Sequence, residues 1–221
     1  MANVVVKESH LTYGGVGYFR GHAEEVELGS IGEKRTPLTS MNYLEVKDRI
    51  PAGKISRVKS VLVDIDFASS TKSAFGIKLA VPINGVPVSL GASTAYSKLQ
   101  SGELRMVKFS VDNNVMKNAA NASSARLKDL AKWGNDARIA HQLFVVMSGE
   151  IATAFSNNTN VELGVGASGL EATANVATGG TRQTTVQIAA GTCFAYLLLK
   201  IDWNKGKTQI DDLNDDKWSL S

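Results

Sequence analysis

Three histidines, one cysteine and one glycine-rich turn are the residues whose types could do chemistry, and their spacing argues against it. His10, His22 and His141 stand far apart, with no His-Glu-x-x-His or paired-cysteine spacing to gather ligands around zinc. "GGVG" at 14–17 lacks the Lys-Ser/Thr that completes a phosphate cradle and reads as a turn. No Gly-x-Ser-x-Gly elbow occurs, and most carboxylates stand beside basic residues, as on solvated faces. Cys193 lies in the apolar run Cys193-Phe194-Ala195-Tyr196-Leu197-Leu198-Leu199 and reads as a buried structural thiol. The expectation is a protein that is not an enzyme, with no cofactor and no metal.

The elements around these residues must therefore carry the function. A chain of 221 residues, 43% apolar and 20% charged, has the composition of a folded protein with a substantial core. A net charge of +3, with no basic-aromatic motif, excludes nucleic acid as the expected partner. A lone cysteine rules out an internal disulfide framework and fits a reducing cytosol. "MANVVVKESH" has no basic start followed by a long apolar segment, and no stretch of ~18 apolar residues is ready to span a bilayer as a helix. A cytoplasmic chain is expected.

Alternation predicts strands over 41–47 and 58–67, the first running into a Pro-Ala-Gly turn at 51–53. "DNNVMKNAANASSARLKDLAKWG" (112–134) is Ala-rich, opens on Asp/Asn caps and stops at Gly, which predicts a helical region that Ser123-Ser124 could divide. Leu143-Phe144-Val145-Val146-Met147 reads as a central buried strand, and 186–201 as a strand region broken at Ala190-Gly191-Thr192. "DDLNDDKWSLS" reads as an acidic surface tail anchored only by Trp218. The order is that of an α+β protein dominated by antiparallel sheet.

The most telling stretch is "LAVPINGVPVSL" (79–90). Asn-Gly is the strongest two-residue hairpin signal, because both central residues of a type I′ turn need positive φ. An Asn84-Gly85 loop sets Ile83 opposite Val86, Val81 opposite Val88, Leu79 opposite Leu90, Ile77 opposite Ala92 and Phe75 opposite Thr94, one nearly all-apolar face. Pro82 and Pro87 then fall in a non-hydrogen-bonded pair. They leave the hairpin's own bonds intact and remove the outward N–H groups that a further strand would use. A second ribbon is read in "NVELGVGASGLEATANV": a Ser168-Gly169 loop pairs Ala167 with Leu170, Val165 with Ala172, Leu163 with Ala174 and Val161 with Val176. A rival turn stands at Gly179-Gly180.

Two readings of these faces stay open. In one they are the core of a β-sandwich or of a sheet packed on a helix. In the other they line a membrane β-barrel, whose strands need ~9–11 residues of such alternation. Each buried Val or Ile would contribute roughly 1.5–3 kcal/mol. A lone ribbon cannot stay in lipid, since each unpaired edge group costs several kcal/mol, so insertion must be tied to closure of a ring. Arg49, Lys54, Arg57 and Lys59, with Lys117, Arg126, Lys128 and Lys132 on the helical region, form either solvated faces or a surface for anionic lipid headgroups.

The order of segments resembles the pore-forming N-terminal domain of the gasdermin family, as a member or a short, bacterial-type relative. The resemblance spans roughly 38–202: "LTSMNYLEVKDRI" (38–50), "FGIKLAVPINGVPVSLGASTAYSK" (75–98) in the place of the first transmembrane hairpin, "MVKFSVDNN" (106–114), "LFVVMSGEI" (143–151) and "TTVQIAAGTCFAYLLLKID" (184–202). It implies a cytoplasmic protomer held inactive. On release, by an activating protease for instance, the protomer binds acidic phospholipid, forms a homo-oligomeric ring and inserts into the cell membrane from the cytosolic side, in cell death or antiviral defence.

Together these readings give an α+β fold, a twisted antiparallel sheet with helices and two amphipathic β-hairpins able to refold into a membrane β-barrel. A pore-forming domain is expected over 1–205 and an acidic tail, with a capping or inhibitory role, over 206–221. The membrane-inserting positions are Phe75, Ile77, Leu79, Val81, Ile83, Val86, Val88 and Leu90 in the first hairpin, and Val161, Leu163, Val165, Leu170 and Val176 in the second. The alternatives are a self-assembling structural protein, such as a viral or phage particle subunit that uses the hairpins for subunit contacts, and a ligand-binding β-sandwich such as a lectin.

Overall fold

The computed structural model describes residues 3–55, 58–83, 86–156, 162–166, 169–177, 181–187 and 192–219, with 77–89 and 162–187 given by their backbone course. Its strands are β1 (Val4–Val6), β2 (His10–Tyr13), β3 (Val16–Phe19), β4 (Ser30–Arg35), β5 (Tyr43–Arg49), β6 (Val58–Val63), β7 (Ile77–Ile83) and β8 (Val86–Leu90). After helix α1 (Ala92–Ser101) come β9 (Leu104–Val111), α2 (Asn113–Asn121), α3 (Ser124–Trp133), β10 (Ala137–Ser148) and α4 (Gly149–Ser156). The chain continues through β11 (Glu162–Gly166), β12 (Gly169–Ala177), β13 (Thr181–Gln187), β14 (Cys193–Trp203) and β15 (Ile210–Asp216).

Ten strands form one sheet around the antiparallel pair β10–β14. Each of these two long strands has more neighbours than one partner can fill. The free edge of β10 is shared by β4 over Ala137–Ile139 and by β9 over Gln142–Ser148. The far edge of β14 is shared by β3, through Tyr196 opposite Phe19, and by β15 along Leu198–Trp203. The sheet thus forks on both sides and curls to a nearly barrel-like shape, with helices packed on it. The α+β expectation holds at this level.

Both faces of the central strands are covered. On β10, Leu143, Val145 and Met147 enter a core shared with Phe109, Met116, Leu130 and Phe155. Phe144 and Val146 enter a second core with Val6, Leu11, Tyr18, Phe75 and Leu99. A strand buried on both faces reads as an unbroken apolar run, which is why 143–147 was legible as a central strand. The tyrosines at the centre keep their hydroxyls satisfied: Tyr196 donates to the Gly21 carbonyl at 2.7 Å and accepts from the Leu44 N–H at 2.8 Å. Tyr18 donates to Gln142 Oε1 at 2.9 Å.

The helical region divides where expected. Asp112 caps α2 by accepting from the Asn114 N–H at 2.9 Å. Ser123 ends that segment by donating to the Ala119 carbonyl at 2.8 Å, and α3 starts at Ser124. Three boundaries differ from the sequence reading. β6 stops at Val63, and Ile65 makes only an isolated bridge to Val4. The strand read from Met41 begins at Tyr43. Residues 92–94, read as the end of the hairpin strand, open helix α1. There Ala95 and Leu99 are a helical turn apart and both buried, a period-3.6 signal that the hairpin pattern masked.

Candidate functional site

Outside the ten-stranded sheet stand two smaller ones, a two-stranded sheet of β7 and β8 and a three-stranded sheet of β11, β12 and β13. At the tip of the first, the expected register is present: Ile83 opposite Val86, Pro82 opposite Pro87 and Val81 opposite Val88. Below it the register changes, and Ile77 rather than Leu79 stands opposite Leu90. The Asn84-Gly85 loop itself lies outside the described residues.

The base of this hairpin corrects the expectation. Phe75 is not in a strand opposite Thr94. It ends a 3-10 turn, Lys72–Phe75, with its ring fully buried. That ring lies 5.9 Å from Phe67 and 5.3 Å from Tyr96 of α1, centroid to centroid. Ala92 likewise opens α1 instead of facing Ile77. The physical reason is that an aromatic cluster and a helix bury this flank more completely than two further strand pairs in water would.

The second ribbon pairs Val165 with Leu170 and Leu163 with Ala172, each partner two residues earlier than read from sequence because the turn stands one residue earlier. Odd positions of β11 still face even positions of β12. A register shift of two residues keeps this parity, so the apolar set survives the correction. The ribbon continues as a meander, with β13 pairing β12 from Glu171 opposite Gln187 to Ala177 opposite Thr181. Val161, the Ala167-Ser168 loop, Gly179-Gly180 and the Ala190-Gly191 break lie outside the described residues.

The acidic tail is a strand. β15 pairs along β14, with Ile210 and Leu213 buried in the first core. Its outer edge is read by α2. Asn121 accepts from the Ile210 N–H at 2.9 Å and donates to the Ile210 carbonyl at 3.1 Å. Asn113 donates to the Leu213 carbonyl at 3.1 Å, and Lys117 to that of Asp211 at 3.1 Å. Residues 113, 117 and 121 are four apart and share one helix face, so a polar stripe replaces the missing neighbour strand.

Charge fixes the far end. Asp216 accepts from Lys34 at 3.0 Å and from Arg138 Nε at 2.5 Å. Asp215 lies 3.3 Å from His141 Nε2, close enough for attraction though not aligned for a hydrogen bond. The Asp215 carboxyl is held below its ordinary range, first by His141 and against the burial that would raise it. Trp218 anchors the segment as expected, its N–H donating to the Gly17 carbonyl at 2.9 Å. A Cβ on Gly17 would stand 2.5 Å from the Trp218 carbonyl oxygen, so this approach needs glycine.

The basic candidates separate into two groups. Arg49 is paired with Glu27, and Arg126 with Asp48 at 3.0 Å; Arg126 also donates to the Arg49 carbonyl at 3.2 Å. These arginines and Lys117 are engaged inside the fold, and an occupied cation offers less to a headgroup. Lys54, Lys59, Lys128 and Lys132 are exposed, and Arg57 lies outside the described residues. Sequence reading missed the loop between β4 and β5, residues 36–42, which leaves Leu38 fully exposed and Met41 exposed. A Pro-Leu-x-x-Met tip between two charged strands was the available signal.

The histidines stay apart, as their spacing indicated. His10 stacks on Trp218, His22 stacks on Tyr43, and His141 is buried. Cys193 is buried, as expected, and burial pushes its thiol far above the usual range. Among the described residues no three His, Cys, Asp or Glu side chains converge to hold a metal ion, and no helix is long and apolar enough to cross a membrane. No protein-family model, curated protein or solved structure matches this chain.

Proposed function

We propose that this chain is a gasdermin-type pore-forming protomer, which binds acidic membranes, assembles into a ring with further copies and inserts its two hairpin regions to permeabilise the bilayer. The observation that carries this reading is that both small sheets share no strand with the ten-stranded sheet. Their ladders can re-form between subunits while the main sheet stays closed. Ring closure then satisfies the edge N–H and C=O groups that a single inserted ribbon would leave exposed to lipid.

In the structure described above β7 has seven residues and β8 five, short of the ~9–11 that a membrane strand needs. Insertion therefore draws in the flanks, and the buried Phe75, Ala95 and Leu99 oppose it. The strap β15 is a second restraint, its release replacing the loose capping tail of the sequence reading. Leu38 and Met41 supply a first apolar contact with the surface, and the exposed lysines 54, 59, 128 and 132 an electrostatic one.

The test uses vesicles loaded with dye and containing acidic phospholipid. The chain is added intact, or after cutting at a protease site inserted in the exposed turn 204–209. Leakage that needs acidic lipid and increases on cutting, with rings visible by electron microscopy, is the expected result. Equal leakage before and after cutting removes the strap from the scheme. Absence of leakage in both arms ends the pore reading, and ordered particles in water without leakage point instead to a self-assembling structural subunit.

A further inference from the structure

The turn between β14 and β15 holds a lysine where its backbone suits glycine. Lys207 has φ +50°, in the left-handed region where a Cβ crowds the carbonyl, although glycine is the adjacent residue. The turn is rigidly built. Asn204 Oδ1 accepts from the N–H groups of Thr208 at 2.9 Å and Gln209 at 3.3 Å, and Asn204 Nδ2 donates to Thr208 Oγ1 at 2.9 Å. The Lys207 N–H closes the turn on the Asn204 carbonyl at 3.0 Å. Strain of this kind, kept by a locked scaffold, is where a functional side chain is to be sought.

Lys207 lines an open groove of about 560 Å³ together with Arg138, Lys200, Asp202, Trp203 and Lys205. Lys200, Lys205 and Lys207 are exposed, and among the described residues none has a carboxylate within ion-pair distance. Arg138, behind them, is committed to Asp216. One carboxylate shares the groove, Asp202, which accepts from Asn214 at 2.8 Å; Asp212, opposite it across the ladder, accepts from the Leu213 N–H at 2.9 Å. The groove thus sets three uncommitted cations against one carboxylate, with room for a guest larger than a single small ion.

We infer that this groove binds a multivalent phosphate anion, with Lys200, Lys205 and Lys207 as its cationic clamp. Ammonium groups on flexible stems suit clustered phosphates, which present charge in several directions rather than one planar fork. The source is a free polyphosphate or the phosphorylated headgroup of a membrane lipid. The inference does not rest on pore formation, since the groove can bind where no leakage occurs and leakage can occur with the groove abolished.

Titration calorimetry with inositol hexakisphosphate, at low and raised salt, tests the free form. Co-sedimentation with vesicles of phosphatidylcholine containing a phosphoinositide tests the lipid form. Binding in either arm should weaken with salt and fall roughly fivefold for each lysine changed to glutamine, Lys200→Gln, Lys205→Gln and Lys207→Gln. Loss in both arms assigns the headgroup, and loss of soluble binding alone assigns the free anion. Lys207→Gly separates function from structure: the melting temperature should hold or rise while affinity drops. The inference is overturned if the parent protein binds neither probe, or if binding survives the triple glutamine variant. It is equally overturned if Lys207→Gly leaves affinity intact.

Discussion

The indole of Trp218 lies flat on the imidazole of His10, ring centroids 3.7 Å apart and planes within 10°. This contact joins the segment after β15 to β2, across β3, and it ties the strap to a titratable group. Burial first, then the charges of Lys7 and Arg20, hold His10 below the ordinary imidazole value of 6.5. The unfolded chain therefore takes up the proton before the folded one does. Stability from this site is full above about pH 6.5 and is lost as pH falls through the lower folded value. Thermal melts between neutral and mildly acidic pH should show this decline, and His10→Phe should flatten it. An unchanged slope in that variant would remove His10 from the account.

Asp216 is the charge on which the strap's end depends. Its carboxylate serves Lys34 and Arg138, with side-chain exposures of 15%, 19% and 9% respectively, so solvent screens the cluster little. Asp216→Asn leaves two sheltered cations without a counterion and should cost about 3–5 kcal/mol in urea unfolding. Asp216→Glu, which keeps the charge, should cost less. Equal losses would mean that shape rather than charge sets the contact.

Asn121 and Lys117 both serve the β15 edge, but not equally. Asn121→Ala removes a donor and an acceptor from the Ile210 peptide, with an expected loss of about 1–3 kcal/mol and faster hydrogen exchange along β15. Lys117→Met touches a carbonyl that water can serve, so a change within about 0.5 kcal/mol is expected. Exchange rates in β15 that match the parent in Asn121→Ala would show that β14 alone holds the strand.

Phe75 links stability to the proposed insertion. Phe75→Ala should destabilise the folded protein by about 3–5 kcal/mol, as a fully buried ring is removed from between Phe67 and Tyr96. If the flank must open for β7 to lengthen, the same variant should release dye from acidic vesicles faster than the parent. Destabilisation without faster leakage would detach this flank from the pore mechanism.

Cys193 should be silent toward thiol reagents in the folded protein and react only on unfolding, because burial disfavours the thiolate. Reaction of the native protein at the rate of a free thiol would contradict its place in the core.

Local pattern carried much of this architecture. The Asn-Gly pair and its flanking prolines set Pro82 opposite Pro87 by themselves, since turn chemistry and register are decided by neighbours a few residues apart. Asp112 as a cap, the break at Ser123 and the double-sided burial of 143–147 were legible for the same reason.

Other features depend on contacts between residues distant in the chain. Residues 92–94 read as the end of a strand; in the folded chain they open a helix whose Tyr96 packs beside Phe67 and Phe75. "IDDLNDD" looks like a solvated tail because its four aspartates dominate the composition. Two of its residues, Ile210 and Leu213, find the core, and Lys34, Arg138 and His141 meet Asp216 and Asp215 across as many as 182 positions. The amino-acid order by itself thus determined which pieces turn, cap and alternate. Which strands share an edge, and which charges are already spent, was decided only when the folded chain brought remote partners within a few ångströms, where desolvation and pairing act.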